Sequence, residues 1–173
     1  MKIVFHFLTY TSILLMLLSS KPITENTFKS KKKLLKGTWE VTNIRFVGDK
    51  GLYKANLFDV ADSPCFKGSQ WILVPNNGAG KFTLNSSAHC EASTHRIHWS
   101  YSESEDGTAK MQIKFVNEKN KPIDPANRGY ILNIEQLSEN GFEMRIPTTY
   151  EGNPFDVIMT FSKVSENVSL KNK

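Results

Sequence analysis

Cysteine is scarce in this chain: Cys65 and Cys90 are the only two in 173 residues. Two cysteines cannot build a disulfide-scaffold miniprotein, but they can make one bridge. No Cys-x-x-Cys spacing is present to point to redox chemistry. Neither sign of charge dominates, with 22 Lys+Arg against 17 Asp+Glu and a net charge of +5. Apolar residues at 39% and charged residues at 23% exclude a disordered tail or a collagen-like rod. Long apolar runs are missing after residue 20, which excludes a polytopic membrane protein. A helical apolar stripe is also missing after Gly37, so parallel strand–helix–strand architectures are excluded. Gly-x-Ser-x-Gly, His-Glu-x-x-His and phosphate-loop motifs are absent, and the chain is read as a non-enzyme with no catalytic residues and no cofactor. Aromatic residues are plentiful, with 11 Phe, 5 Tyr and 3 Trp, enough to fill the core of one domain.

The start of the chain reads as a targeting segment. Met1-Lys2 gives a short basic region, Ile3 to Leu18 is nearly all apolar, and Ser19-Ser20 precede Lys21-Pro22. That is the pattern of a secretory signal over residues 1–20; an uncleaved anchor is the competing reading. Cleavage leaves a chain of about 150 residues, large enough to fold alone with roughly 68–70% of its unfolded surface buried. Residues 21–33 form a basic lead-in, with Lys21, Lys29, Lys31, Lys32 and Lys33, followed by Lys36. Such a stretch can rest on an anionic membrane surface. It also fits a solvated tether running into a short helix at about Phe28–Leu35. The lysines are not interleaved with aromatics, so no nucleic-acid partner is expected.

From Gly37 onward the apolar pattern has period two. Trp39 and Val41 share one parity, whereas Ile44 and Phe46 take the other, which predicts a bulge near Asn43. Further runs fall at Ser69–Val74, Lys81–Leu84, Arg96–Tyr101, Lys110–Val116 and Gly129–Leu137, then around Met144 and Met159. Turn chemistry separates them, including Asn76-Asn77-Gly78, Glu105-Asp106-Gly107 and Asn140-Gly141. Eight candidate strands in adjacent pairs predict an antiparallel meander. A closed barrel removes its own edges, and a β-sandwich is the competing architecture.

Leu34-Leu35-Lys36-Gly37-Thr38-Trp39-Glu40-Val41 resembles the Gly-x-Trp opening of lipocalins and other calycins. Cys65 to Leu73, Asn76-Asn77-Gly78, Phe82-Thr83-Leu84, Cys90, Ile97-His98-Trp99-Ser100 and Ile158 to Lys163 follow in order. This series resembles the lipocalin-like domain proteins of the Bacteroidetes cell envelope. The resemblance spans roughly residues 34–164, leaving residues 165–173 as a C-terminal tail. It implies an all-β fold, an eight-stranded antiparallel up-and-down barrel with a short N-terminal helix. It implies that Gly37 and Trp39 form the barrel floor. It also implies a periplasmic, cell-envelope or extracellular location. Unlike most such relatives, the chain has no acylatable cysteine near Ser20.

Several residues could carry chemistry. In an oxidising compartment Cys65 and Cys90 should pair. Such a bridge encloses about 24 residues and stabilises by roughly 3–4 kcal/mol. His89, His95 and His98 cluster with Cys90, but strand alternation sends His95 and His98 to opposite faces, so no metal site is expected and the histidines are read as exposed. Glu135 and Asp156 could meet an inward arginine, although Glu135 is out of phase with Tyr130, Leu132 and Ile134. For a ligand inside the barrel, the candidate lining is Trp71, Trp99, Tyr101, Phe115, Tyr130, Met144 and Met159, with the two tyrosines as polar groups. The segment 49–70 is the natural binding loop or lid. Two functions stand at this point. One is a monomeric carrier of a small hydrophobic or amphipathic ligand; the other is an envelope interaction module with a filled barrel.

Overall fold

The computed structural model describes residues 24–48, 55–150 and 152–170. The signal segment and residues 49–54 therefore lie outside the described residues. Helix α1 (Thr24–Leu34) leads into β1 (Gly37–Val47). Two short strands follow, β2 (Asn56–Leu57) and β3 (Ala61–Asp62), then a single 3-10 turn at Ser63–Phe66. The remaining strands are β4 (Gln70–Val74), β5 (Ala79–Leu84), β6 (Ser93–Glu103) and β7 (Ala109–Phe115). They continue with β8 (Tyr130–Glu135), β9 (Gly141–Tyr150) and β10 (Asn153–Ser165).

Strands β1 and β4 to β10 close into an eight-stranded barrel in the order β1-β10-β9-β8-β7-β6-β5-β4. Every neighbouring pair is antiparallel, and β1 seals the barrel by pairing with both β10 and β4. Closure decides for the barrel over the sandwich. All eight period-two runs of the sequence become these strands. The parity change in β1 is a bulge: Val41 faces Phe161, and Asn43 faces Thr160, with one residue extra between them. The β2–β3 hairpin stands apart as its own small sheet.

Helix α1 starts four residues before the expected Phe28. Its first turn is polar, so it carries no periodic apolar signal. Lys31, Lys32 and Lys33 fill its last turn, where the helix dipole favours positive charge. The helix covers one end of the barrel. The Phe28 ring lies 5.4 Å from Tyr101, Lys31 pairs with Glu103 at 3.0 Å, and the Lys32 ammonium sits 5.5 Å from the Trp99 ring. Gly37 has φ +141°, and a Cβ there would come within 2.8 Å of the Ser165 carbonyl oxygen. Only glycine fits that approach. Trp39 is fully buried and donates its indole N–H to the Leu35 carbonyl at 3.0 Å. Its ring meets Phe142 edge-on at 4.9 Å, with the Lys163 ammonium 4.7 Å from its centre.

The interior is packed with rings and methionines. Trp71 stacks on Phe82 at 4.5 Å, Phe142 stacks on Phe161 at 4.4 Å, and Phe161 meets Trp71 edge-on. Buried indole N–H groups need acceptors. Trp71 donates to Ser69 Oγ and Trp99 to the Ala79 carbonyl, each at 3.0 Å. The arginine that Glu135 and Asp156 could meet is Arg145, and it lies on the outer wall rather than inside. Its guanidinium binds both carboxylates, while Arg45 pairs with Glu143 at 2.8 Å beside them. Ile158 sits between Arg45 and Arg145 in the register and is fully buried, so these side chains roof over an outward apolar residue.

Candidate functional site

The barrel end opposite α1 carries the site, and the β2–β3 hairpin shapes it. Phe58 and Asp59 have φ +58° and +55°, and the Val60 N–H donates to the Leu57 carbonyl at 3.0 Å. Two consecutive left-handed residues closed by this bond give the primed turn that suits a tight hairpin. Phe is a costly choice at such a φ. Burial compensates: Phe58 is 4% exposed and its ring meets Phe66, Trp71 and Tyr130 edge-on at 5.7, 6.2 and 5.3 Å. Phe58 therefore stoppers the barrel mouth. Asp59 stays exposed, and its Oδ2 accepts the Tyr130 hydroxyl at 2.7 Å, latching the hairpin to β8.

A covalent tie holds the same segment from below. Cys65 and Cys90 form the expected disulfide, joining the 3-10 turn to the loop between β5 and β6. The Ser63 N–H donates to the Ala55 carbonyl at 2.7 Å, closing the base of the hairpin. The described part of the 49–70 segment is thus folded over the mouth.

Between this hairpin and the β7–β8 loop lies a cleft of about 610 Å³. Phe58, Phe115 and Tyr130 supply aromatic walls, Val60 and Ile123 add apolar surface, and Gly129 completes the lining. The Tyr130 ring meets both Phe58 and Phe115 nearly at right angles, at 5.3 and 5.8 Å. Asp59, Asp124, Arg128 and His95 are the polar groups. Asp124 is engaged by its own loop. It accepts the N–H groups of Ala126 and Arg128 and the Arg128 Nε, at 2.9, 3.1 and 2.8 Å. The bond from Arg128 holds its carboxyl below the usual range.

His95 departs from the exposed histidine expected of it. Its ring is half-buried, stacks on Phe82 at 5.0 Å and meets Phe115 edge-on at 5.7 Å. Burial lowers its pKa, so it is neutral at pH 7. His98 is exposed, on the opposite face, as alternation requires. Burial, and then the bond to Asp59, pushes the Tyr130 phenol up to about 12.

Of the candidate lining residues, Phe115 and Tyr130 border this cleft. Trp71, Trp99, Met144 and Met159 lie in the packed interior, each no more than 1% exposed. Tyr101 lies at the α1 end, where its hydroxyl donates to Glu103 at 2.8 Å beside a second, smaller cleft of about 430 Å³. Gly37 and Trp39 are also at that end. Asp59, Ile123, Asp124 and Arg128 were not singled out by sequence. The signal that could have found them is the pair of turn-rich loops flanking Phe58 and Tyr130. Among the described residues no group of three or more His, Cys, Asp or Glu side chains is placed to hold a metal ion.

No family model matches the chain, and no curated protein matches it. Among solved structures it is similar to an odorant-binding protein from bovine nasal mucosa, at 14% identity over 79% of this chain and 74% of that one, with a TM-score of 0.40. A bovine odorant-binding protein in complex with a selenium-containing odorant matches at 13% identity over 80% of this chain and 74% of that one, TM-score 0.40. The bovine protein complexed with its natural ligand matches at 14% identity over 80% and 75%, TM-score 0.40.

Proposed function

We propose that the chain is an exported, non-catalytic binding protein that takes a small amphipathic ligand in the mouth cleft, not in the depth of its barrel. The observation that carries this reading is the pairing of a packed interior with an aromatic-walled cleft of about 610 Å³, a volume within the range of small-molecule sites. Apolar walls with a few convergent polar groups suit an amphipathic ligand. Among the described residues Tyr130 carries the only hydroxyl in the lining, and Asp59 already engages it at 2.7 Å, which supports binding over catalysis. The formed disulfide supports an oxidising compartment, periplasmic, envelope-associated or extracellular. The resemblance to Bacteroidetes envelope proteins belongs to this reading. So does peripheral contact of the basic lead-in with anionic membrane.

The packed interior also favours a second reading, an envelope interaction module whose loops contact a protein. One experiment separates the two. Native mass spectrometry and NMR titration with the neutral probe N-phenyl-1-naphthylamine should give a 1:1 adduct and shift the amides of residues 58–60 and 115–130. Phe115→Ala should weaken the adduct. A bare mass with unmoved amides sinks the carrier reading and leaves the interaction module. N-terminal sequencing of exported protein should begin near Lys21; an intact Met1 would point to an anchor.

A further inference from the structure

We infer that the mouth cleft selects an organic cation, an ammonium group carried on an aromatic or alkyl body. This deepens the ligand-binding reading and rests on it. Tyr130 meets Phe58 and Phe115 each nearly at right angles, at 5.3 and 5.8 Å. Rings set at right angles present faces in different directions around one space. Aromatic faces carry negative quadrupole potential, and a cage of them is a general device for binding ammonium groups.

The charges point the same way. Asp59 and Asp124 oppose a single guanidinium, that of Arg128. Arg128 and Asp124 neutralise each other through a direct ion pair. Among the described residues the Asp59 carboxylate accepts only the neutral Tyr130 phenol. The two carboxylates and one guanidinium of the lining therefore sum to one net negative charge at the rim, with Asp59 also acting on Arg128 through space, although the whole chain is at +5. His95, half-buried between Phe82 and Phe115, adds no competing positive charge at neutral pH. Lys114, whose side chain runs beside Gly129, gives its ammonium to the Asn127 side-chain oxygen at 3.1 Å and not to Asp59 or Asp124; lysines beyond a Debye length, roughly 8 Å at physiological salt, are screened.

The backbone adds an independent reason to look here. Phe58 holds φ +58°, a conformation that bulky residues avoid. Strain of this kind gathers where a side chain must be presented in one place. Here it puts the Phe58 ring into the cleft wall and the Asp59 carboxylate beside it.

Three soluble probes with one body and different charge test the inference on the full exported chain: phenethylammonium, 2-phenylethanol and phenylacetate. Calorimetry gives affinity, and amide shifts at residues 58–60 and 115–130 give location. The cation should bind in the cleft at least tenfold tighter than the alcohol, with phenylacetate weakest. Asp59→Asn keeps the size and tolerates the left-handed backbone. It should cost the cation five- to tenfold and leave the alcohol unchanged. Equal binding of cation and alcohol, tighter binding of phenylacetate, or an Asp59→Asn variant with undiminished cation preference overturns cation selection while leaving the cleft a ligand site. Failure of all three probes to move the cleft amides overturns both readings.

Discussion

Truncating Trp39 to alanine tests the closed end of the barrel most directly. The ring is fully buried, meets Phe142 edge-on and lies under the Lys163 ammonium. Removing a buried Trp loses transfer energy and leaves a cavity, about 3–5 kcal/mol together. The Leu35 carbonyl, at the end of α1, also loses its donor. A working figure is therefore about 4 kcal/mol, a large share of the roughly 5–15 kcal/mol that holds a domain folded. With a urea slope of about 2 kcal/mol per molar, the midpoint should fall by about 2 M. Trp39→Phe keeps most of the ring. It forfeits the indole bond, about 0.5–1.5 kcal/mol, plus a smaller void, so its midpoint should fall by only about 0.5–1 M. Far-ultraviolet circular dichroism is the readout, because the substitution itself alters tryptophan fluorescence. A Trp39→Ala midpoint within error of the parent would refute the reasoning, because a ring that can be deleted without cost is not sealing anything.

Gly37→Ala should destabilise by about 1–3 kcal/mol, read as a lower calorimetric melting temperature, because its φ of +141° and the Ser165 carbonyl leave no room for a Cβ. Cys65→Ser should cost about 3–4 kcal/mol by urea unfolding in the loop-entropy account; two free thiols in a non-reducing peptide map of the parent would contradict the bridge. Glu135 should make stability fall on acidification. The hydrogen bond from Arg145, first among its causes, lowers its pKa below the unfolded value of about 4.3. The unfolded chain then takes up the proton first, so the contribution present above that value is lost as pH falls through the folded pKa. Urea midpoints measured from pH 7 to 3 should decline less steeply in Glu135→Gln.

The barrel was legible because each strand keeps one face apolar at period two. The bulge could be read from a single parity change between Val41 and Ile44, because alternation is rigid enough to show one inserted residue. Glu135 was correctly out of phase, yet its partner could not be read from spacing. Arg145 reaches it across two neighbouring strands, and that register is fixed by the turn between them. That turn also departs from the Asn-Gly signal. Ser138 and Gly141 close it, and Gly141 already belongs to β9. The cleft was least legible. Phe58 adopts a backbone angle that its residue type argues against, and it holds that angle only because Phe66, Trp71 and Tyr130 surround its ring. Local sequence carries no trace of such tertiary compensation.

The dual pairing of β1 orders events in time. Strands β4 to β10 each meet their successor through a nearby turn, so that meander can assemble as the chain appears. The seam between Thr38 and Ser165 joins the first strand to the last. It must await the final residues of β10, across a loop of well over a hundred residues. The entropic penalty grows only logarithmically with that length, but the search is slow. Until it ends, β1 and the newest strand both offer bare backbone edges to any neighbouring chain. Ribosomal stalling or proteolysis before Asn153 should thus yield aggregates instead of a seven-stranded remnant. Were the chain exported, as proposed above, the same delay would help, because a polypeptide that cannot close early stays threadable.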